Sequence, residues 1–114
     1  MDQLLDDGRL REQAGAPHPE LHSGIARDWI AGVPAAVERI RAARGEDLAA
    51  ALHELRSGAV AVGLRRLPAE LAAVEQAVER GDPAAEAGLP AALELAGRSA
   101  AALDAWWDAA GTPP

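Results

Sequence analysis

Apolar side chains in this chain recur every third or fourth residue, in four long segments separated by short breaks of Gly, Pro and Asp. A half-buried strand needs alternation with a period of two, and no segment shows it. Leu21, Ile25, Trp29, Val33, Val37 and Ile40 mark the first segment, within residues 20–44, and predict a single buried stripe. Pro34 falls inside it, so a kink or break near Gly32-Val33 is expected, because proline withholds a backbone donor and crowds the preceding turn. Gly45-Glu46-Asp47 makes a tight connection, after which Leu48, Leu52, Leu55, Ala59 and Val62 form the second stripe. Leu67, Leu71, Val74 and Val78 form the third, opened by Pro68 at a first-turn position and closed by Gly81. The fourth begins after Asp82-Pro83 or after Pro90, carries Leu89, Leu93, Ala96, Ala100, Leu103 and Trp107, and ends at Gly111-Thr112-Pro113-Pro114. Residues 1–13 read as a short leading helix with Leu4, Leu5 and Leu10 available for packing, ended by Gly15 and Pro17. Four amphipathic helices joined by short connections pack as antiparallel neighbours. The expectation is all-α: an up-down-up-down four-helix bundle with a short extra N-terminal helix, residues 1–114 forming one domain.

Composition supports this and excludes several function classes. A chain of 114 residues holds one modest core. Its 49% hydrophobic content is mostly alanine, with no Phe or Tyr and three Trp, so the core is aliphatic and helix-favouring. All 11 basic residues are Arg, scattered among 18 acidic ones for a net charge of -7. Neither nucleic acid nor a membrane surface is therefore an expected partner. The absence of cysteine excludes disulfides and thiolate metal sites and fits a cytoplasmic protein. The acidic start, Met1-Asp2-Gln3-Leu4-Leu5-Asp6-Asp7, lacks the apolar run of a signal peptide, and no segment is long enough to span a bilayer. Met1 and the Pro-rich end point to a free-standing chain, expected to be monomeric.

One histidine stands out within the second helix. Leu48, Leu52, Leu55, Ala59 and Val62 cluster on one side, and His53 lies roughly 140° away from that cluster at about 100° per residue. Its imidazole faces outward. Around it on the same face stand Ala49 and Ala50 before it, Arg56 and Ser57 after it, and Val60 and Leu64 further along. Small and apolar residues replace the charges of an ordinary solvated face. Such a rim lets another protein close over the ring and exclude water. A neutral imidazole is nucleophilic near neutral pH, Arg56 at i+3 can balance the charge of a phosphoryl group, and the Ser57 hydroxyl can add a polar contact.

The stretch resembles the motif of the histidine-containing phosphotransfer (HPt) domain: the phosphorylated His, Leu at +2, Lys at +3, Gly at +4, small residues, and Gly at +10. His53, Leu55, Arg56, the small Gly58 and Ala59, and Gly63 fall on that pattern. Leu48, then Leu67, Leu71 and Val74 with Glu75, and Glu79-Arg80-Gly81-Asp82 are similar to the family as well; motif-level likeness is confined to residues 45–81. Arg56 stands for the family's lysine, and Ser57 for its glycine, displaced here to Gly58. The resemblance implies a phosphorelay intermediate in two-component signalling. His53 would exchange a phosphoryl group with the aspartates of response-regulator receiver domains, aided by Arg56 and Ser57. Ala49, Ala50, Val60, Gly63 and Leu64 would lie on the docking face. It also implies no cofactor on this chain, with Mg²⁺ supplied by the receiver, and a hybrid histidine kinase as a further partner. Two alternatives stand beside it. One is a non-catalytic HPt-like adaptor that binds a receiver or another helical protein. The other is the H-box of a histidine-kinase dimerisation domain, which His53-Glu54-Leu55-Arg56-Ser57 also resembles; Gly58 in place of that family's proline and the early break at Gly45 count against it.

Other candidates carry plain structural readings. His18 and His22 are four apart but lack a third metal ligand. A solvated helix start, with His18 or Ser23 helping to cap it, accounts for them. Trp106-Trp107 reads as bundle closure, one ring packed and the other partly exposed. Arg65-Arg66 could meet an acidic receiver surface or simply favour a helix dipole. No carboxylate pair has a catalytic spacing, and no glycine-rich loop could cradle a nucleotide.

Overall fold

The computed structural model describes residues 3–111. They form five α-helices and a single 3-10 turn, with no strand among the described residues. Helix α1 spans Asp7–Ala14, α2 Pro19–Ala42, α3 Gly45–Ala61, α4 Arg66–Glu79 and α5 Leu89–Ala109; the 3-10 turn Ala85–Gly88 precedes α5. Helix α3 packs most extensively on α4, α2 on both α5 and α3, and α4 on α5, while α1 lies on α2. No helix of the described residues is long and apolar enough to cross a membrane.

The stripes of α3, α4 and α5 meet where the sequence puts them. Leu48, Leu52, Leu55, Ala59 and Val62 are buried, as are Leu67, Leu71 and Val74, and Leu93, Ala96, Ala100, Leu103 and Trp107. Each large aliphatic side chain removed from water in this way contributes about 1.5–3 kcal/mol. Trp107 is fully buried against the half-buried Trp106, the two rings edge-to-face with centroids 5.0 Å apart.

Helix α2 departs from the expected single stripe. Leu21 and Ile25 are 62% and 57% exposed, while Ser23, Ala26, Val33 and Ile40 are buried. Residues at successive i+4 positions advance about 40° per step, so the run from Leu21 to Val37 winds about 160° around the helix and cannot face the core throughout. Pro34 breaks nothing: α2 runs through it, and it sits exposed, where water can reach the carbonyl its ring leaves free. His18 precedes α2 without a side-chain cap bond and pairs instead with Glu20 at 3.3 Å, whereas Ser23 Oγ donates to the Glu20 carbonyl.

The leading helix is shorter than residues 1–13. Asp6 Oδ1 accepts from the Arg9 backbone N–H and starts α1 there. Ahead of it the chain is extended: Asp6 N donates to the Gly63 carbonyl, Arg65 N donates to the Leu4 carbonyl, and Leu5 bridges Leu64 antiparallel. This strap lies over the end of α3. Met1 and Asp2, like the terminal Thr112-Pro113-Pro114, lie outside the described residues.

Candidate functional site

Helix α3 begins with Glu46 and Asp47 in its first turn, carboxylates that favour the positive end of the helix dipole. With its Leu and Ala stripe buried, the opposite side presents His53, whose side chain is 58% exposed. Ala50, Ser57 and Val60 are exposed on the same side, Ala49 and Arg56 partly so. The expected face is present as far as Val60.

It stops there, which corrects the assignment of Gly63 and Leu64 to the docking surface. Helical projection places them beyond Val60, but α3 ends at Ala61 and both are buried. Gly63 adopts φ of +90°, a left-handed conformation that glycine alone tolerates easily, and turns the chain beneath the strap. A Cβ at Gly63 would stand 2.8 Å from Leu10 Cδ2, and Leu64 lies under Leu5. Both serve the seam between α1, the strap and the end of α3.

Glu75, on α4 opposite His53, completes the site. The resemblance grouped it with Leu71 and Val74 but assigned it no duty. Its side chain is 11% exposed, and its two oxygens divide their partners. Oε1 accepts from Arg56 Nε at 3.1 Å, and Oε2 lies 3.3 Å from His53 Nδ1. Arg56 Nη2 also reaches His53 Nδ1, at 2.8 Å, closing a triangle of three side chains. Both ring contacts fall on Nδ1; among the described residues no hydrogen bond is made to Nε2.

A carboxylate so buried would ordinarily resist ionising. Burial does push the Glu75 carboxyl up, but the Arg56 hydrogen bond and charge, with lesser help from Glu79 and His53, hold it below the ordinary value of 4.5. Arg56 and Glu75 form a neutralised pair, and the imidazole sits at its exposed edge.

Trp29 of α2 sets the back wall. A Cβ on Gly58 would lie 2.7 Å from Trp29 Cδ1, so the indole occupies the space a side chain would need. Gly58 thus faces α2 and leaves the His53 side of α3 to Ser57. Between α2 and α3 runs a groove of about 220 Å³ lined by Trp29, Gly32, Ala36, Ala51 and Leu55, with Arg39 and Glu54 paired 3.5 Å apart at its edge.

The remaining sequence candidates are elsewhere. Arg65 and Arg66 stand at the start of α4, where the dipole is positive, and are held by acids: Arg65 by Asp6 at 3.4 Å and Arg66 by Glu70 at 3.2 Å. No group of three potential metal ligands occurs among the described residues, His18 and His22 included. No family model, no curated protein and no solved structure matches the chain.

Proposed function

We propose that this protein is a phosphotransfer intermediate whose acceptor is His53. In this reading α2 to α5 form the up-down-up-down bundle, with α1 and the strap as additions at one end. The observation that supports it most is an exposed imidazole whose Nδ1 meets both a buried carboxylate and an arginine, leaving Nε2 without a hydrogen-bond partner among the described residues.

The chemistry follows from that arrangement. The phosphoryl donor is the aspartyl phosphate of a receiver domain, which brings its own Mg²⁺ to the shared site. The Nε2 lone pair forms the N–P bond as the P–O bond to the aspartate breaks, and the electron pair leaves on the carboxylate. The ring proton then belongs on Nδ1, where Glu75 Oε2 can accept it and offset the imidazolium charge. Arg56 neutralises part of the phosphoryl charge, and Ser57 offers a hydroxyl at the rim. Catalysis here is positioning and charge balance in an in-line transfer. Ala49, Ala50 and Val60 supply small and apolar surface around the ring for the receiver to cover.

The test is incubation of the intact chain with phosphorylated receiver domains, looking for label that is labile to acid and stable to base. The expected result is label on the wild type and none on His53→Gln. Label that persists in His53→Gln would remove His53 as acceptor. Stable receiver binding without label would assign the chain as a non-catalytic adaptor.

A further inference from the structure

We infer that Arg56 holds His53 in the tautomer whose Nε2 is protonated, so that the ring becomes nucleophilic only when the guanidinium leaves Nδ1. This inference rests on the phosphotransfer reading of His53 and adds a control to it.

Its basis is a conflict at a single atom. A neutral imidazole has one N–H and one lone pair, so Nδ1 either donates or accepts. If Nδ1 carries the proton, it donates to Glu75 Oε2 at 3.3 Å, but Arg56 Nη2 then brings a second donor against it at 2.8 Å. If Nε2 carries the proton, Nδ1 accepts from Arg56 at 2.8 Å, a usual length for a charge-assisted bond. Glu75 keeps the bond from Arg56 Nε to Oε1 at 3.1 Å, while Oε2 faces the Nδ1 lone pair across the longer 3.3 Å separation. The shorter contact and the charged donor both select the second arrangement. Its consequence is chemical: Nε2 carries hydrogen and has no lone pair to offer phosphorus.

Release needs a better acceptor for the guanidinium. A phosphoryl group presents charged oxygens in the planar, two-pronged geometry that arginine matches best, and it outcompetes a neutral ring nitrogen. As Nη2 turns toward it, Nδ1 takes a proton from water and keeps it, its N–H hydrogen-bonding Glu75 Oε2, while Nε2 gives its proton to water. The proton count is unchanged and the lone pair is now on Nε2. Arg56 is in this sense a positioning residue for the free ring and a phosphate ligand during transfer.

Long-range ¹H–¹⁵N correlation spectra of the full chain, labelled at histidine, read the tautomers directly at about pH 8, where an ordinary imidazole is neutral. His18 and His22 provide internal references. The expected result is a predominantly Nε2–H ring for His53 in the wild type. In Arg56→Met, which keeps the length of the side chain and removes every donor, the ratio should move toward Nδ1–H by about tenfold or more, the effect of losing one charge-assisted hydrogen bond. A wild-type His53 that is mainly Nδ1–H overturns the inference without any variant, and so does an unchanged ratio in Arg56→Met that is still folded by circular dichroism. Phosphoryl transfer is not needed for this measurement. If the tautomers behave as stated yet no receiver labels His53, the relay reading fails and the control of the ring by Arg56 stands.

Discussion

Arg27 and Arg56 both meet carboxylates across a helix interface, and their surroundings make them different devices. Arg27 of α2 bonds both Asp104 and Asp108 of α5, the latter at 3.0 Å. Its pKa is pushed up by the Asp108 hydrogen bond, with burial opposing and Asp104 assisting. One cation is shared by two anions, and the cluster tethers α2 to α5 with no reactive group attached. Arg56 of α3 has one carboxylate, Glu75 of α4, and its second contact is the imidazole of His53. The first arginine is committed to two carboxylates. The second can exchange a weak partner for a stronger one, which is what an anion-handling site requires.

The sharpest way to break the comparison is to remove one member from each cluster. His53→Gln should abolish receiver-derived label altogether while leaving the unfolding midpoint in urea close to wild type, since the ring is exposed. Arg27→Ala should do the reverse, lowering the midpoint and leaving the label on folded protein intact. If Arg27→Ala abolished labelling in protein that is still folded by circular dichroism, the division between tether and reactive cluster would be wrong.

Glu75→Gln ranks next. It keeps the shape of the buried side chain and removes the charge that offsets the imidazolium and anchors Arg56. Labelling should slow by about 10- to 100-fold, the range seen when a group that fixes a histidine's orientation is lost. Initial rates of transfer from a phosphorylated receiver measure it, and a change smaller than about twofold would leave Glu75 as a structural carboxylate only.

The same residue gives a pH signature that separates the clusters further. Because the folded-state pKa of Glu75 is lowered, its ionisation stabilises the fold above the unfolded value near 4.5, and that contribution disappears as pH falls through the lower folded-state value. Wild type should therefore lose stability relative to Glu75→Gln as acidity increases from about pH 5 to about pH 3. Urea titrations at each pH check this, and parallel curves would show that Arg56 does not hold the carboxyl down.

What the sequence disclosed follows the same division between regular and irregular structure. His53, Ala50, Ser57 and Val60 were legible because an uninterrupted helix converts spacing into angle. Gly63 and Leu64 were misplaced because that conversion holds only while the helix continues, and the left-handed turn at Gly63 ends it. Leu21 and Ile25 were misplaced for a subtler reason: a run of i+4 steps drifts around the helix, and only a mixture of three- and four-residue steps stays on one face. Glu75 was the hardest to see. A carboxylate flanking an apolar stripe reads as a surface residue until its partners are known, and those partners, His53 and Arg56, belong to a different helix. The strap over Gly63 depends on pairing between segments some sixty residues apart, which no local pattern encodes.

The smallest expected effect concerns Ser57, which is exposed one turn beyond His53. Two roles for it differ in sign. If the hydroxyl bonds the phosphoryl group, Ser57→Ala should slow labelling by a few-fold, on the scale of a single neutral hydrogen bond worth about 1 kcal/mol. If the side chain merely stands where the receiver approaches, Ser57→Ala should change little. Ser57→Gly should then strengthen receiver binding, by about two- to threefold, while costing roughly 0.5–1 kcal/mol of stability, because glycine weakens a helix interior. Titration calorimetry with a receiver and urea unfolding of the same two variants separate the roles. Weaker labelling in both variants favours the hydroxyl, because loss of bulk alone could only bring the partner closer.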